Sequence, residues 1–175
     1  IEQIVEWGRQ GVILHATVNL SASPYHSDKS GTRIAVARSA AASLNHPFLL
    51  ANQVGGNDDL LFDGRSIIAW PDGRAVIAPA WTQGVLLTDL SNPEECVWFG
   101  EGEVTILQAG DELEETEDDL LDAIIIGLSD YCRKSGISKI VLGLSGGIDS
   151  ALTLAVAADA LGAENVHAVM MPYVY

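Results

Sequence analysis

Runs of apolar residues between short polar breaks predict alternating strands and helices in the first half of the chain. An apolar run from Val12 to Asn19 predicts a buried strand, which the Ser-Ala-Ser-Pro at 21–24 then ends. A helix follows, because apolar residues recur at helical spacing at Ile34, Ala37, Ala41 and Leu44. Pro47 ends this helix, since proline disfavours the helical conformation in the residue before it, and residues 48–51 form the next predicted strand.

A hairpin and a short strand are predicted before residue 90. Residues 67–70 and 74–77 flank Pro71-Asp72-Gly73, in which proline fixes the turn and glycine takes a positive φ angle. Residues 85–87 form the last predicted strand of this half. The chain then enters an acidic stretch, which we interpret as a linker over residues 92–115.

The second half has the pattern of a helix followed by a strand, a glycine loop, a helix and a strand. The opening helix is amphipathic, with Thr116 as its expected N-cap and Gly136 at its end. Its apolar stripe consists of Leu120, Leu121, Ile124, Ile125, Leu128, Tyr131 and Cys132. Residues 140–144 form an apolar strand, residues 151–161 a helix, and residues 166–171 a second strand. Such a unit is a βαβ crossover with parallel strands.

The composition indicates a soluble globular protein without nucleic-acid or membrane partners. Apolar residues make up 48% of the chain, yet no apolar run reaches the about 20 residues of a membrane-spanning helix. The formal net charge is −15, whereas binding to nucleic acid rests on Lys and Arg. Cys96 and Cys132 have no paired spacing, so we expect packed thiols in a reducing, cytoplasmic setting. The four histidines lack ligand-like spacing, and no zinc site is predicted.

One short motif carries the chemistry, the Ser-Gly-Gly-Ile-Asp-Ser at residues 145–150. Two glycines between a buried strand and a helix let backbone N–H groups converge on one point, which the positive helix end also faces. A phosphate group suits that point. Ser145 and Ser150 would add hydroxyl donors, and Asp149 beside phosphate makes sense mainly if it holds Mg²⁺. The alternative is an ordinary glycine turn in which Asp149 or Ser150 caps the helix.

The motif lacks both the Gly-Lys-Ser/Thr ending of a Walker A loop and the spaced glycines of a dinucleotide fingerprint. It resembles the PP-loop of the ATP pyrophosphatases, which adenylate a substrate and release pyrophosphate. Its flanks, residues 140–152 and 165–172, are similar to NAD synthetases nearly residue for residue. The resemblance implies that ATP contacts Gly143, Leu144, Ser145, Gly146, Gly147, Ile148, Asp149, Ser150 and Met171. Methionine at such a strand end is also common as plain core.

The first half resembles the nitrilase-type glutaminase domain of the glutamine-dependent NAD synthetases. The similar segments are residues 19–25, 52–56 and 62–66, and their order is the expected one. By this resemblance Ser23 and Lys29 contact the α-amino and carboxylate groups of glutamine, and a lysine suits a carboxylate. The Glu, Lys and Cys triad of that domain is expected upstream of these segments, so no catalytic residue is expected within this chain.

Together the resemblances imply an α/β protein in three parts. The later part of an αββα nitrilase-like sandwich occupies residues 1–91, an acidic linker 92–115, and the first βαβ unit of a Rossmann-like PP-loop nucleotide-binding domain 116–175. The implied function is part of a homo-oligomeric ligase that amidates deamido-NAD to NAD with ATP, Mg²⁺ and ammonia from L-glutamine. Two alternatives stay open: another PP-loop synthetase, or an inactive fragment with only a structural role.

Overall fold

The chain folds into two compact units. The computed structural model describes residues 1–27, 29–100, 102–110 and 117–171. The first unit comprises Ile1–Val54 and Phe62–Glu115, and the second comprises Gly55–Leu61 and Thr116–Tyr175. Within the described ranges no helix is both long enough and apolar enough to span a bilayer.

Strands outnumber helices in the chain up to residue 110. Its elements are α1 (Glu2–Arg9), β1 (Thr17–Ser21), α2 (Lys29–Leu44), β2 (Phe48–Asn52), β3 (Val54–Asn57), β4 (Leu60–Asp63), β5 (Ile67–Ala69), β6 (Ala75–Ile77), β7 (Gly84–Asp89), β8 (Asn92–Gly100) and β9 (Glu103–Leu107). One sheet has the order β1-β2-β5-β6, in which β1 and β2 are parallel and the other neighbours antiparallel. Strand β3 pairs with β4, and β7, β8 and β9 form an antiparallel sheet.

Helix α2 covers one face of the four-stranded sheet. Its side chains at Ile34, Ala37 and Ala41 share a buried cluster with Phe48 of β2 and Ile67 of β5. The alanines bring the helix close to the sheet, because they add little bulk between the two layers. The predicted helix and the predicted strand at 48–51 are therefore confirmed. The predicted hairpin is also confirmed, since β5 and β6 pair as antiparallel neighbours around the predicted turn.

The predicted buried strand from Val12 is wrong in two respects, because it begins too early and because Val18 and Leu20 within it are exposed. Strand β1 starts at Thr17, while Ile13 is 81% exposed. The neighbouring strand explains where β1 begins. Thr17 is in register with Phe48, and the residue before Phe48 is Pro47. Because proline has no N–H, the ladder of hydrogen bonds does not continue further back. Helix α1 was not anticipated by the apolar pattern.

The acidic stretch after residue 91 holds two strands rather than a continuous linker. In β8 the side chains of Cys96 and Trp98 are buried, whereas Glu94 and Glu95 are exposed. Cys96 and Trp98 alternate with the less buried Val97 and Phe99, so one face of this strand packs inside while the two glutamates lie exposed near its start. Cys96 and Cys132 are both free and buried, which confirms that they are packed thiols. The division into domains at residues 91 and 116 stays a prediction.

The second unit contains the predicted βαβ crossover. Its elements are α3 (Glu117–Lys134), β10 (Ile140–Leu144), α4 (Ile148–Leu161), a 3-10 turn (Ala163–Asn165) and β11 (Val166–Met170). Strands β10 and β11 are parallel, with α4 between them in sequence, as predicted. Gly136 follows α3 with φ of +71°, as a helix-ending glycine does. The predicted N-cap, Thr116, lies outside the described residues. In the predicted stripe of α3, Cys132 is buried but Leu120 and Tyr131 are exposed.

Candidate functional site

The glycine loop lies between the end of β10 and the first turn of α4. Gly146 has φ of +87°, a conformation that L side chains rarely adopt, and a Cβ built on it would meet no atom within 4 Å. Gly147 is the N-cap of α4 and no side chain caps the helix there. The first N–H groups of a helix have no partner within the helix, so this end of α4 offers its donors to the open space beside the loop.

The two serines of the loop are brought together. The hydroxyl oxygens of Ser145 and Ser150 lie 3.2 Å apart although five positions separate them. The Ser150 hydroxyl donates to the Gly147 carbonyl at 2.8 Å, and the Gly147 N–H points to the Ser145 hydroxyl at 3.4 Å. These contacts link the loop to the first turn of α4, with Ser145 exposed. The arrangement can bind an anion through neutral donors alone.

Met171 lies against the strand that leads into the loop. Its N–H donates to the Leu144 carbonyl at 2.9 Å, which extends the pairing of β10 and β11 by one residue. A Cβ on Gly143 would lie 2.6 Å from the Met171 Cε, so the flexible end of the Met171 side chain lies directly against this glycine of β10. The structure thus brings Gly143, Leu144 and Met171 together at the carboxyl ends of two parallel strands, where open α/β sheets bind ligands.

Asp149 is the one acidic residue in the first turn of α4, and it is exposed. A carboxylate there is stabilised by the positive end of the helix whatever its function. Among the described residues, no group of three or more His, Cys, Asp or Glu side chains could hold a metal ion. Mg²⁺, however, is commonly held by one or two carboxylates together with substrate phosphates, and the oxygen donors of Asp149 fit that mode.

Ser23 lies in the loop after β1 and is held by the side chain of Asn52. The Ser23 N–H donates to the Asn52 Oδ1 at 2.8 Å. The Asn52 Nδ2 in turn donates to the carbonyls of Ser23 at 3.3 Å and of Gly64 at 2.9 Å. Lys29, the other residue expected at a glutamine site, begins α2. The backbone of the Ser23 loop is therefore fixed to the end of β2 and to the segment after β4.

A group of buried charged side chains lies in the segment around Gly64, and the sequence analysis did not identify it. Asp63 is fully buried and its Oδ2 accepts hydrogen bonds from Arg33 and, at 3.3 Å, from Arg65. The two arginines are also within 3.4 and 3.5 Å of the Ser30 hydroxyl in α2. The signal was available, because Asp63 and Arg65 stand between two apolar segments, residues 60–62 and 67–70.

An aromatic pair completes the surroundings of the Ser23 loop. The rings of Tyr25 and Trp81 pack edge to face, with centroids 4.9 Å apart and planes at 69°. Trp81 has φ of +61°, and its N–H donates to the Asp63 carbonyl at 2.9 Å. A bulky residue in the left-handed region is strained, and such strain persists where the surrounding structure fixes it.

The two halves of the chain correspond to two protein families. Residues 2–94, more than half of the chain, match the carbon-nitrogen hydrolase family, to which the chain therefore belongs. Residues 120–175 match a second family, NAD synthase. The combination is that of the glutamine-dependent NAD(+) synthetases, so the family resemblance seen in the sequence is confirmed.

Individual relatives agree with this assignment. The chain is 46% identical over 154 residues to the glutamine-dependent NAD(+) synthetase of Rhodobacter capsulatus, covering 87% of this chain and 27% of that protein. It is 41% identical over 169 residues to that of Synechocystis sp., covering 95% and 28%. The structure of the Acinetobacter baumannii enzyme in complex with ADP is similar with a TM-score of 0.73 and 34% identity, over 99% of this chain and 31% of that one. The chain thus spans less than a third of the length of these relatives.

Proposed function

We propose that the chain is part of a ligase that amidates deamido-NAD to NAD, using ATP and ammonia released from glutamine. The observation that carries the proposal is the order of the two family matches, a carbon-nitrogen hydrolase segment followed by an NAD synthase segment in one chain. The relatives that contain this order are named glutamine-dependent NAD(+) synthetases. The nitrilase-like first segment disfavours a PP-loop synthetase of another kind.

The loop after β10 is the proposed ATP site. Gly146 leaves open space beside the first turn of α4, and the Ser145 and Ser150 hydroxyls border it. We assign Gly143 to Ser150 and Met171 to this site, with backbone N–H groups and serine hydroxyls on the phosphates. The Acinetobacter baumannii relative is a complex with ADP, which supports a nucleotide site in this family. Mg²⁺ would be held by Asp149 and the phosphates, and it would offset their negative charge.

The first unit is the proposed source of ammonia. We assign Ser23 and Lys29 to glutamine, whose α-amino group needs acceptors and whose carboxylate needs a cation. Neither cysteine of the chain suits the hydrolytic nucleophile, because Cys96 is fully buried beside the Thr88 hydroxyl at 3.2 Å and Cys132 is buried in α3. We therefore assign the nucleophile of the glutaminase to another part of the ligase. We assign the first unit to the later part of an αββα sandwich. We assign the second unit to the first βαβ unit of a Rossmann-like domain.

The proposed reaction has two steps. The nicotinate carboxylate of deamido-NAD attacks the α-phosphate of ATP, and pyrophosphate leaves. Ammonia then attacks the acyl carbon, loses a proton, and displaces AMP to give the amide. The residues of this chain bind and orient the nucleotide and the glutamine, and their contribution is positioning rather than covalent chemistry.

Labelled deamido-NAD tests the proposal in the complete ligase. We expect one NAD, one AMP and one pyrophosphate for each deamido-NAD consumed, with either glutamine or ammonia as the nitrogen source. Ser145→Ala should reduce this rate about tenfold or more, because it removes one donor to a charged phosphate. Ser39→Ala, an exposed position of α2, is the matched control. Formation of pyrophosphate without any NAD would favour another PP-loop synthetase.

A further inference from the structure

We infer that Asn52 is a positioning residue for glutamine, acting through the backbone of Ser23. This inference rests on the proposed function, in which Ser23 contacts glutamine. The side chain of Asn52 makes three hydrogen bonds, and two of them join the N–H and the C=O of Ser23. An amide that accepts from and donates to the same residue fixes both the position and the rotation of that peptide segment.

The side chain of Asn52 is itself held in place. Its second donor hydrogen goes to the Gly64 carbonyl at 2.9 Å. Its own backbone N–H donates to the Ser66 hydroxyl at 3.0 Å. Gly64 has φ of +71° and a Cβ there would lie 2.6 Å from the Val54 Cγ2, so any other residue at the far end of the bridge would be strained and would clash with Val54. Ser23 is thereby tied to the segment Asp63–Ser66.

The beginning of α2 is tied to the same segment. Arg33 and Arg65 both reach Asp63, and both approach the Ser30 hydroxyl, one residue after Lys29. One short segment thus anchors the backbone on either side of the proposed glutamine site. Because the α-amino and carboxylate groups of glutamine lie on one carbon, their binding depends on the spacing of Ser23 and Lys29. Asn52 sets one end of that spacing.

Replacing Asn52 should therefore weaken glutamine binding without affecting the synthetase reaction. Asn52→Asp keeps the shape and the acceptor for the Ser23 N–H, but it places a carboxylate oxygen against the carbonyls of Ser23 and Gly64. In the complete ligase we expect the KM for glutamine to rise about tenfold or more, as for the loss of a hydrogen bond in a partly buried site. The rate with saturating ammonia should stay within about twofold of the unsubstituted enzyme.

Two further variants make the result decisive. Asn57→Asp makes the same chemical change at an exposed side chain and should leave both nitrogen sources unaffected. Ser66→Ala removes only the hydroxyl that holds the Asn52 backbone, so we expect a milder rise in its KM for glutamine. This variant tests the inference if Asn52→Asp does not fold. An unchanged KM for glutamine in a folded Asn52→Asp variant would overturn the inference. If only Ser66→Ala folds, an unchanged KM in that variant would overturn it. So would an equal loss with ammonia, which indicates a general structural role.

The failure of the inference and that of the proposed function have different signatures. If the unsubstituted ligase forms no NAD from deamido-NAD even with ammonia, the proposed function is wrong. If it forms NAD and only the dependence on Asn52 is missing, the proposed function stands and the positioning role is wrong.

Discussion

The carboxylate of Asp130 accepts a hydrogen bond from the backbone N–H of Gly56 at 2.9 Å, although 74 positions separate the two residues. The side chain of Arg133 donates to the same carboxylate at 2.6 Å, and the Lys134 ammonium lies 3.3 Å from it. Lys134 also donates to the Gly56 carbonyl. Within the second unit, Asp130 therefore holds the hairpin tip of residues 55–61 to α3.

This contact predicts a pH dependence of stability. Burial raises the pKa of Asp130, but hydrogen bonds from Arg133, Gly56 and Lys134 outweigh it and hold the pKa below its ordinary value. Because the unfolded pKa is about 3.9, the ionised carboxylate stabilises the fold above that value, and this contribution is lost as the pH falls through the lower folded pKa. Asp130→Asn should lower the thermal unfolding midpoint at neutral pH, and its difference from the unsubstituted chain should shrink on acidification.

Circular dichroism at a series of pH values measures this difference. Asp122→Asn, an exposed position on the same helix, is the control for a lost negative charge. If Asp130→Asn and Asp122→Asn had equal effects at every pH, the contact with Gly56 would contribute nothing.

A second prediction concerns Gly55, which lies next to the same carboxylate. Its φ is +103°, and a Cβ there would lie 2.5 Å from the Asp130 Oδ2. Gly11 has a similar φ of +84° but open space around it. Gly11→Ala should cost about 1 kcal/mol from backbone strain alone, and Gly55→Ala should cost more because a side chain must also move. Urea unfolding measures the loss of stability in both variants. Equal losses would mean that the contact with the Asp130 side chain adds nothing to the backbone strain.

A third prediction separates ligand binding from strain at the loop. Gly146 and Gly136 have φ of +87° and +71°, and neither would place a Cβ within 4 Å of another atom. Alanine should destabilise both positions similarly, by about 1 kcal/mol. Only Gly146→Ala puts a methyl group into the proposed phosphate space. Calorimetric titration with ATP and Mg²⁺ should therefore show weaker binding for Gly146→Ala and unchanged binding for Gly136→Ala.

A fourth prediction tests the buried ionic group. Asp63 is fully buried with two arginines, so Asp63→Asn leaves uncompensated positive charge inside the first unit and should cost about 3 kcal/mol or more. Asp72→Asn removes an exposed carboxylate that pairs with Arg74 and should change stability little. Urea unfolding midpoints measure both. Comparable small effects would mean that the Asp63 cluster relaxes without loss.

Much of the fold was predictable where one residue type had one physical role. Gly146 and Gly136 marked a loop and a helix end because only glycine takes a positive φ without strain. Pro71-Asp72-Gly73 marked the β5–β6 turn for the same kind of reason. The parallel pairing of β10 and β11 followed from a continuous apolar pattern with a helix between the strands.

The rest depended on contacts between distant positions. The acidic residues around Cys96 and Trp98 suggested a linker, but they belong to a strand. Exposed charged residues occur in both, so charge alone does not distinguish a linker from a strand at the surface. The role of Asn52 was not visible either, since its partners Ser23 and Gly64 lie 29 and 12 positions away. A network of side chain to backbone bonds has no periodicity that a sequence pattern could reveal.

The hairpin tip of residues 55–61 has a consequence for how such genes can be divided. Its sequence falls inside the carbon-nitrogen hydrolase match, yet its residues fold as part of the unit that carries the NAD synthase match. A chimaera joined at residue 116 would therefore leave α3 without the partner of Asp130, and it would also separate Gly127 of α3 from Leu61. Domain exchange by evolution or by engineering would have to carry this hairpin along.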